Sequence, residues 1–301
     1  MTTPQVLGER YEIGGVLGRG GMAEVHHGRD LRLGREVAVK VQRPGIVEQI
    51  RDDLDTLARL AGGVDRVTDV GRRIRFADWV HEFRRTLLAE LDYRVEAENL
   101  DRFDAHFTAY PTLFVPKPIW DLTRARVLTM ELVEGTKVTD ISGLQRTEHD
   151  MGPLATSLLH GYLDQVFVHG DIHADPHPGN LFIHSDGSIA MIDFGMVGSL
   201  SEEFRDALVT MLVGVSQGNA RRATTGLLKL TDRAPENLDR AALDRDVESM
   251  IRSYADRPLA EVRMAALLSD LVACLRRHRL RLPRDSALFL RMVITAESIG
   301  K

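Results

Sequence analysis

The stretch HADPHPGNLFIHSDGSIAMIDFG, residues 173–195, contains the spacing that decides the fold. A phosphoryl-transfer loop needs an aspartate near the acceptor hydroxyl and an asparagine five residues later that binds the metal. Asn180 lies five residues after Asp175, and Asp193 follows 18 residues after Asp175, at the end of an apolar strand. A carboxylate in that position is a suitable magnesium ligand. The stretch therefore predicts phosphoryl transfer, with Asp175 at the acceptor and Asn180 and Asp193 at the metal.

A second His-x-Asp triplet, ending at Asp171, precedes this loop. The fifth residue after Asp171 is Pro176, whose side chain cannot bind a metal, so we expect Asp171 to be structural. His169, His173 and His177 are spaced by four residues, as zinc ligands on one helix face are. The prolines between them disfavour that helix, and zinc is kept as the alternative. For His173 we expect a role in supporting the loop.

A glycine-rich segment near the N-terminus, LGRGGMAEV at residues 17–25, lies between two predicted strands. Glycines in such a loop let backbone N–H groups approach phosphate oxygens, although a tight hairpin without a ligand is the alternative interpretation. A dinucleotide-binding motif would open a helix, whereas this segment continues into a strand. Lys40, in VAVK, lies on the next strand and is the only lysine among the first 116 residues. We therefore predict that Lys40 binds phosphates.

The segment LTMELVEG, residues 128–135, reads as an apolar strand that ends in a turn. As a hinge, it would offer backbone groups of Glu131 and Val133 to an adenine edge. A core strand followed by an ordinary turn explains the same residues, so both interpretations stay open.

The composition limits the class of protein. The chain has 301 residues, 44% of them hydrophobic, and a formal net charge of −5, so no basic surface predicts nucleic-acid binding. Its single cysteine excludes an internal disulfide and a cysteine-rich zinc site. The sequence shows no secretory signal and no apolar run long enough to span a membrane. We expect a cytoplasmic protein.

The hydrophobic pattern predicts an N-lobe at residues 1–134 and a mainly helical C-lobe at residues 135–301. Three antiparallel strands are expected between residues 11 and 42, and a long helix from about residue 77 to 107. Strands are also expected within residues 112–120 and 125–135.

Smaller signals predict where elements begin and end. Gly62-Gly63 is expected to end the first helix, and the Ser-Asp-Gly-Ser turn at residues 185–188 predicts a hairpin. Ser199 with Glu202 predicts a capping box. Helices are then expected at 239–254, 258–278 and 284–299.

Six motifs together carry a family resemblance. They are VAVKVQRPGI, ELDYRVEAEN, VLTMELVEG, HADPHPGNLF, IDFGMVG and RLRLP. From Val37 to about Pro283 the chain resembles the UbiB-like atypical kinases, which are linked to ubiquinone and isoprenoid-lipid metabolism. The preceding segment, with its glycines, is similar to the front end of bacterial Ser/Thr protein kinases.

The resemblance implies an α+β, two-lobed protein-kinase-like fold: an antiparallel-sheet N-lobe with inserted helices and a mainly helical C-lobe. It implies ATP and Mg²⁺ as cofactors, with Asp175, Lys40 and Glu96 as catalytic residues and Asn180 and Asp193 as metal ligands. Glu96 would pair with Lys40. The nucleotide-binding residues that it implies are Gly18, Gly20, Gly21, Val25, Ala38, Lys40, Glu131 and Val133.

The motif ELDYRVEAEN contains two further acids of interest. Glu90 and Asp92 match the family's Glu-x-Asp element near the active site. An ordinary pair of exposed helix acids explains Asp92 equally well.

The sequence departs from the family pattern at several points. Glycines replace the usual alanine-rich loop, and the Lys-x-Gly-Gln segment and the membrane-seeking C-terminal tail are not found in it. His177 stands where protein kinases place a catalytic-loop lysine.

The resemblance therefore predicts an ATP-dependent kinase or ATPase. Its acceptor would be a small molecule, a lipid or a protein, with no nucleic-acid partner and with peripheral contact to the inner membrane face. The alternatives are a Ser/Thr protein kinase and a non-catalytic nucleotide-binding scaffold.

Overall fold

The structure is a computed structural model that describes residues 5–7, 11–32, 34–68, 76–141, 151–232, 234–255, 264–281, 283 and 285–297. Contacts within the chain divide it into two compact units. The N-terminal unit comprises Met1–Thr136 and Phe182–Met196, and the C-terminal unit comprises Lys137–Leu181 and Val197–Lys301. The segment 182–196, which carries Asp193, thus has its contacts in the N-terminal unit. The functional division into lobes at residue 134 stays a prediction.

The chain forms eleven strands within the described ranges. They are β1 (Gln5–Leu7), β2 (Tyr11–Arg19), β3 (Ala23–Asp30), β4 (Arg35–Gln42), β5 (Leu113–Phe114), β6 (Val127–Glu131), β7 (Thr136–Lys137), β8 (Asp171–His173), β9 (Leu181–Ile183), β10 (Ile189–Met191) and β11 (Val197–Ser199).

One antiparallel sheet in the N-terminal unit follows the order β1-β2-β3-β4-β6. The three strands predicted between residues 11 and 42 are confirmed as β2, β3 and β4. Successive side chains of a strand point to opposite faces. In β4, buried Val37 and Val39 therefore lie on one face, and Ala38 and Lys40 lie on the other.

The predicted hairpin at residues 185–188 is also confirmed, because the His184 N–H donates to the Ser188 carbonyl at 2.9 Å.

Three α-helices lie in the described part of the N-terminal unit: α1 (Ile46–Val67), α2 (Phe76–Glu90) and α3 (Tyr93–His106). The expected helix end at Gly62-Gly63 is wrong, because α1 continues through both residues. A Cβ at either glycine would meet nothing within 4 Å, so both face open space. A helix-interior glycine costs only about 1 kcal/mol relative to alanine, which the burial of Leu54 and Ala61 in the same helix outweighs.

The single helix expected from about residue 77 to 107 is also wrong, because the chain leaves the helix at Leu91 and Asp92. The Asp92 carboxylate accepts the Arg94 N–H at 3.1 Å and so caps α3. Leu91 is buried, and its carbonyl accepts a hydrogen bond from the Gln42 side chain of β4. The break therefore has a local cause, a capping aspartate, and a tertiary one, attachment to the sheet.

Six helices belong to the C-terminal unit as far as it is described. They are α4 (Met151–Asp164), α5 (Glu202–Ser216), α6 (Ala220–Lys229), α7 (Arg240–Ala255), α8 (Met264–Arg277) and α9 (Asp285–Glu297). A π-helical segment, Gln165–His169, follows α4, and β8 pairs with β11 in a two-stranded antiparallel sheet. Among the described residues, no helix is long and apolar enough to cross a lipid bilayer.

The predicted capping box at Ser199 and Glu202 is wrong. Ser199 is the last residue of β11 and is paired with Asp171 of β8. The cap of α5 is Ser201, whose hydroxyl accepts the Phe204 N–H at 3.2 Å. Because Ser199 is paired in β11, it does not cap α5. Ser201 instead accepts the backbone N–H at the start of the helix.

Helices α5 and α6 approach each other closely through two glycines. A Cβ on Gly214 would collide with the backbone of Ala223, and one on Gly226 would collide with the backbone of Met211. Gly214, Ala223 and Gly226 are all buried. The absence of side chains at the two glycines is therefore what allows the two backbones to come together.

We expect Gly226→Ala to lower the free energy of unfolding by about 1–3 kcal/mol, because the added methyl group must displace the backbone of α5. Urea denaturation followed by circular dichroism measures the change. The control is Gly63→Ala in α1, which faces open space. It should leave the stability unchanged or raise it by about 0.5–1 kcal/mol. Equal effects at the two positions would contradict the close approach.

Candidate active site

A buried ion pair joins the sheet of the N-terminal unit to α3. The Lys40 Nζ donates to both carboxylate oxygens of Glu96, at 2.8 and 2.9 Å, and lies 3.4 Å from Oδ1 of Asp193. The side chain of Lys40 is 16% exposed and that of Glu96 is 4% exposed, whereas that of Asp193 is 49% exposed. The structure thus brings together three residues that are far apart in the sequence.

Both carboxylates of this cluster stabilise the Lys40 ammonium, whereas Glu96 and Asp193 repel each other. Burial by itself lowers the pKa of Lys40, but the neighbouring carboxylates of Glu96 and Asp193 more than compensate, so its pKa is raised. Burial raises the pKa of Glu96, and the Lys40 ammonium opposes that shift. The ring of Tyr93 lies 5.3 Å from Nζ, and burial raises the pKa of Tyr93 to about 12, which keeps its hydroxyl neutral. The lysine is therefore a fixed cation.

The segment Asp193-Phe194-Gly195 is anchored to α3. Phe194 is fully buried, with its ring centroid 4.7 Å from that of Phe103, and its carbonyl accepts the Asn99 side-chain N–H at 2.9 Å. Asp193 itself adopts a φ of 65°, in the left-handed region that non-glycine residues rarely occupy. These contacts hold the strained residue, whose carboxylate lies half-exposed beside Lys40.

The glycine-rich segment forms the connection between β2 and β3. The Gly20 N–H donates to the Ala23 carbonyl at 2.9 Å, and Gly18 pairs with Val25 across the two strands. A Cβ at Gly18 or Gly21 would meet nothing within 4 Å. Packing within the described residues therefore does not require glycine at either position, and the role of these glycines in binding a nucleotide stays a prediction.

The remaining predicted nucleotide-binding residues lie on β3, β4 and β6 and just after β6. Val25 pairs with Lys40 across β3 and β4, and Ala38 is buried. The Glu131 N–H already donates to the Lys117 carbonyl at 3.0 Å, so it cannot bind an adenine edge unless that bond breaks. Val133 follows β6 and is partly buried.

In the C-terminal unit, three histidines lie around the loop that carries Asp175. His173 is buried: its N–H donates to Oε1 of Gln165 at 2.9 Å, and its Nδ1 accepts the Asp175 N–H at 3.2 Å. The Nδ1 of His177 accepts the Gly179 N–H at 2.9 Å. His173 thus supports the loop backbone.

The alternative of zinc on one helix face does not fit these positions. His169 ends the π-helical segment, His173 lies in β8 and His177 lies in the following loop. Among the described residues, the side chains close enough to hold a metal are instead Asp246, Cys274 and His278. Asp246 there accepts hydrogen bonds from His278 at 2.8 Å and from Arg277 at 2.7 Å, which joins α7 to the end of α8.

The two aspartates of the His-x-Asp triplets have different partners. The hydroxyl of Ser199 donates to Oδ1 of Asp171 at 2.7 Å, within the pairing of β8 and β11. Oδ2 of Asp175 instead forms an ion pair with Nη2 of Arg291 in α9, at 3.2 Å. Asn180 closes the turn after Asp175, because its N–H donates to the His177 carbonyl at 2.8 Å.

Sequence reasoning missed Arg291, which follows Asp175 by 116 residues and belongs to no recognised motif.

Of the acids in ELDYRVEAEN, Asp92 caps α3 and binds the side chain of Arg94 at 2.9 Å. The side chain of Glu90 lies outside the described part of the structure. The interpretation of Asp92 as an active-site acid stays a prediction.

Comparisons with known proteins identify the family to which the chain belongs. Residues 16–226 match the ABC1 atypical kinase-like domain, and residues 247–301 match the UbiB helical domain. A probable protein kinase UbiB of Cellvibrio japonicus is 31% identical over 284 residues, which are 93% of this chain and 51% of that protein. A Synechocystis protein is 31% identical over 99% of this chain and 75% of its own length. The chain spans about half the length of the first of these curated relatives.

A solved structure shares the fold. The Rv3197 protein of Mycobacterium tuberculosis, solved in complex with erythromycin, is 26% identical and has a TM-score of 0.69. The match covers 95% of this chain and 72% of that chain. The predicted α+β, protein-kinase-like fold class is thereby confirmed.

We expect Glu96→Gln to lower the free energy of unfolding by about 3 kcal/mol, because it leaves the buried Lys40 ammonium without its main countercharge. Urea denaturation measures the loss. The double variant Lys40→Met, Glu96→Gln removes both charges and should recover most of the stability. Wild-type stability in Glu96→Gln alone would show that the pair does not hold α3 to the sheet.

Proposed function

Because the chain belongs to the family of ABC1 and UbiB atypical kinase-like proteins, we propose that it binds ATP with magnesium and transfers or hydrolyses the γ-phosphate. The observation that carries the proposal is the cluster of Lys40, Glu96 and Asp193. A phosphate-binding cation that is held in place by a buried acid, next to a half-exposed carboxylate, suits a magnesium–nucleotide complex.

In this proposal Lys40 binds the α- and β-phosphates. Its raised pKa means that it stays protonated throughout the neutral range. Glu96 fixes the direction of the ammonium group, so that no reorganisation is needed when the phosphates arrive. The open space at Gly18 and Gly21 lets phosphate oxygens approach backbone N–H groups, and Gly20, whose own N–H donates to the Ala23 carbonyl, shapes the turn between them. Val25 and Ala38 contact the nucleotide.

The metal ligands in the proposal are Asp193 and Asn180. A carboxylate and an amide oxygen are hard donors of the type that Mg²⁺ prefers. When bound, magnesium–ATP supplies the phosphoryl group and the charge that neutralises it. Asp175, whose backbone is held by His173, orients or deprotonates the acceptor hydroxyl. Val133 contributes backbone contacts to the adenine, and Glu131 contributes through backbone groups other than its N–H, which is bonded to the Lys117 carbonyl.

For the acceptor we propose a small molecule or an isoprenoid-type lipid, because relatives carry the name UbiB. Such an acceptor places the protein in the cytoplasm with peripheral contact to the inner membrane face. Ser/Thr protein kinase activity is the second candidate, which the glycines at residues 18–21 favour. A nucleotide-binding scaffold without turnover is the third.

Turnover of γ-labelled ATP in wild type and four variants tests the proposal. We expect Lys40→Ala and Asp193→Asn to abolish magnesium-dependent turnover, because each removes a group that neutralises or positions the phosphates. Asp175→Asn should lower the rate about 10²–10⁴-fold, as loss of a general base does. Asp171→Asn should stay within about tenfold of wild type, because its carboxylate binds Ser199 in the strand pair.

The assay is run separately with liposomes, phenolic quinone precursors and a generic protein substrate. Equal losses in Asp171→Asn and Asp175→Asn would contradict the assignment of Asp175. ATP binding in a magnesium titration without turnover under any of these conditions would favour the scaffold.

A further inference from the structure

The carboxylate of Asp175 is held by a residue from the far end of the chain. Arg291 contributes Nη2 at 3.2 Å from Oδ2, and the backbone N–H of Asp175 is separately held by His173. The side chain of Arg291 is 48% exposed and that of Asp175 is 38% exposed. An ion pair this exposed contributes at most about 1 kcal/mol to stability, so folding alone gives little reason for it.

The loop itself supplies no cation beside Asp175. The position where protein kinases place a lysine is His177. The Nδ1 of His177 accepts the Gly179 N–H at 2.9 Å and caps the turn Pro178–Asn180. The His177 imidazole therefore binds the backbone of its own loop, and the positive charge next to Asp175 is that of Arg291 in α9.

Helix α9 is fixed to the strands that lead into the loop. A Cβ on Gly198 of β11 would lie 2.9 Å from Leu288, so the helix packs directly over that glycine. Met292 is buried, and the ring of Phe289 lies 5.8 Å from that of Phe204. Leu288, Arg291 and Met292 fall at the i, i+3 and i+4 positions of one helix face. Packing of this face therefore sets where the guanidinium lies relative to the loop after β8.

We propose that Arg291 is the positioning residue of Asp175, in place of the missing catalytic-loop lysine. By binding Oδ2, the guanidinium fixes the rotamer of the carboxylate and leaves Oδ1 for the acceptor hydroxyl. A guanidinium suits this task because it is planar, permanently charged and carries several N–H donors. The inference rests on the proposed function, since it presupposes that Asp175 acts on the acceptor.

Steady-state turnover of magnesium–ATP by the full chain tests the inference in Arg291→Gln and Arg291→Lys. We expect Arg291→Gln to lower kcat about 10–100-fold, because a misplaced catalytic group loses rate on this scale, with KM for ATP within about twofold of wild type. Arg291→Lys should recover part of the rate. In Arg291→Ala, added guanidinium ion at a non-denaturing concentration should restore turnover, which a purely structural role would not allow.

The matched control is Arg277→Gln, which also removes an arginine from an ion pair with an aspartate in the same unit. Arg277 lies 2.7 Å from Asp246 and its side chain is 65% exposed. The Arg277→Gln variant should turn over magnesium–ATP at the wild-type rate. Circular dichroism and melting temperatures of all variants separate loss of folding from loss of rate, and a folded Arg291→Gln variant with unchanged or higher kcat overturns the inference.

A double-mutant cycle distinguishes this inference from the proposed function. In an Asp175→Asn background, Arg291→Gln should have no further effect, because the arginine acts through that carboxylate. Additive losses would overturn the positioning role and leave the proposed function intact. Wild-type turnover in Asp175→Asn, or none in the wild-type protein with any acceptor, would instead overturn the proposed function, and the inference with it.

Discussion

An ammonium group that is taken out of water must keep its countercharges, and this constraint at Lys40 organises the N-terminal unit. Glu96 is almost fully buried, so α3 has to lie against the face of β4 on which Lys40 projects. The helix can begin only where Asp92 caps it, one turn before Glu96. The interruption between α2 and α3, which the Asp92 cap and the Gln42–Leu91 hydrogen bond produce, thus lets α3 carry Glu96 to Lys40.

The same cluster determines the conformation of the Asp193-Phe194-Gly195 segment. The buried Phe194 ring and the hydrogen bond from Asn99 attach the segment to α3, the helix that also carries Glu96. Asp193 can then keep an unfavourable left-handed backbone with its carboxylate next to Lys40. A strained backbone conformation of this kind persists only where several neighbouring contacts each hold the residue in place.

Local sequence signals predicted the strands around the glycines and the hairpin before Asp193 well, because alternation and turn residues act over a few positions. They failed where two signals competed. Gly62-Gly63 did not end α1, since a modest local penalty was outweighed by packing. Ser199 did not cap α5, because pairing with β8 occupied it and Ser201 was available two residues later.

The sequence by itself determined the fold class, the order and spacing of the residues proposed to bind phosphate, metal and acceptor, and the pairing expected between Lys40 and Glu96. Only the tertiary structure decided that Glu131 has already used its N–H, that Asp171 binds Ser199 and that Arg291 holds Asp175. The physical reason is the range of the interactions. Motif spacing reflects chemistry within one loop, whereas these partners lie 14, 28 and 116 residues apart in the sequence and meet only when strands and helices pack together.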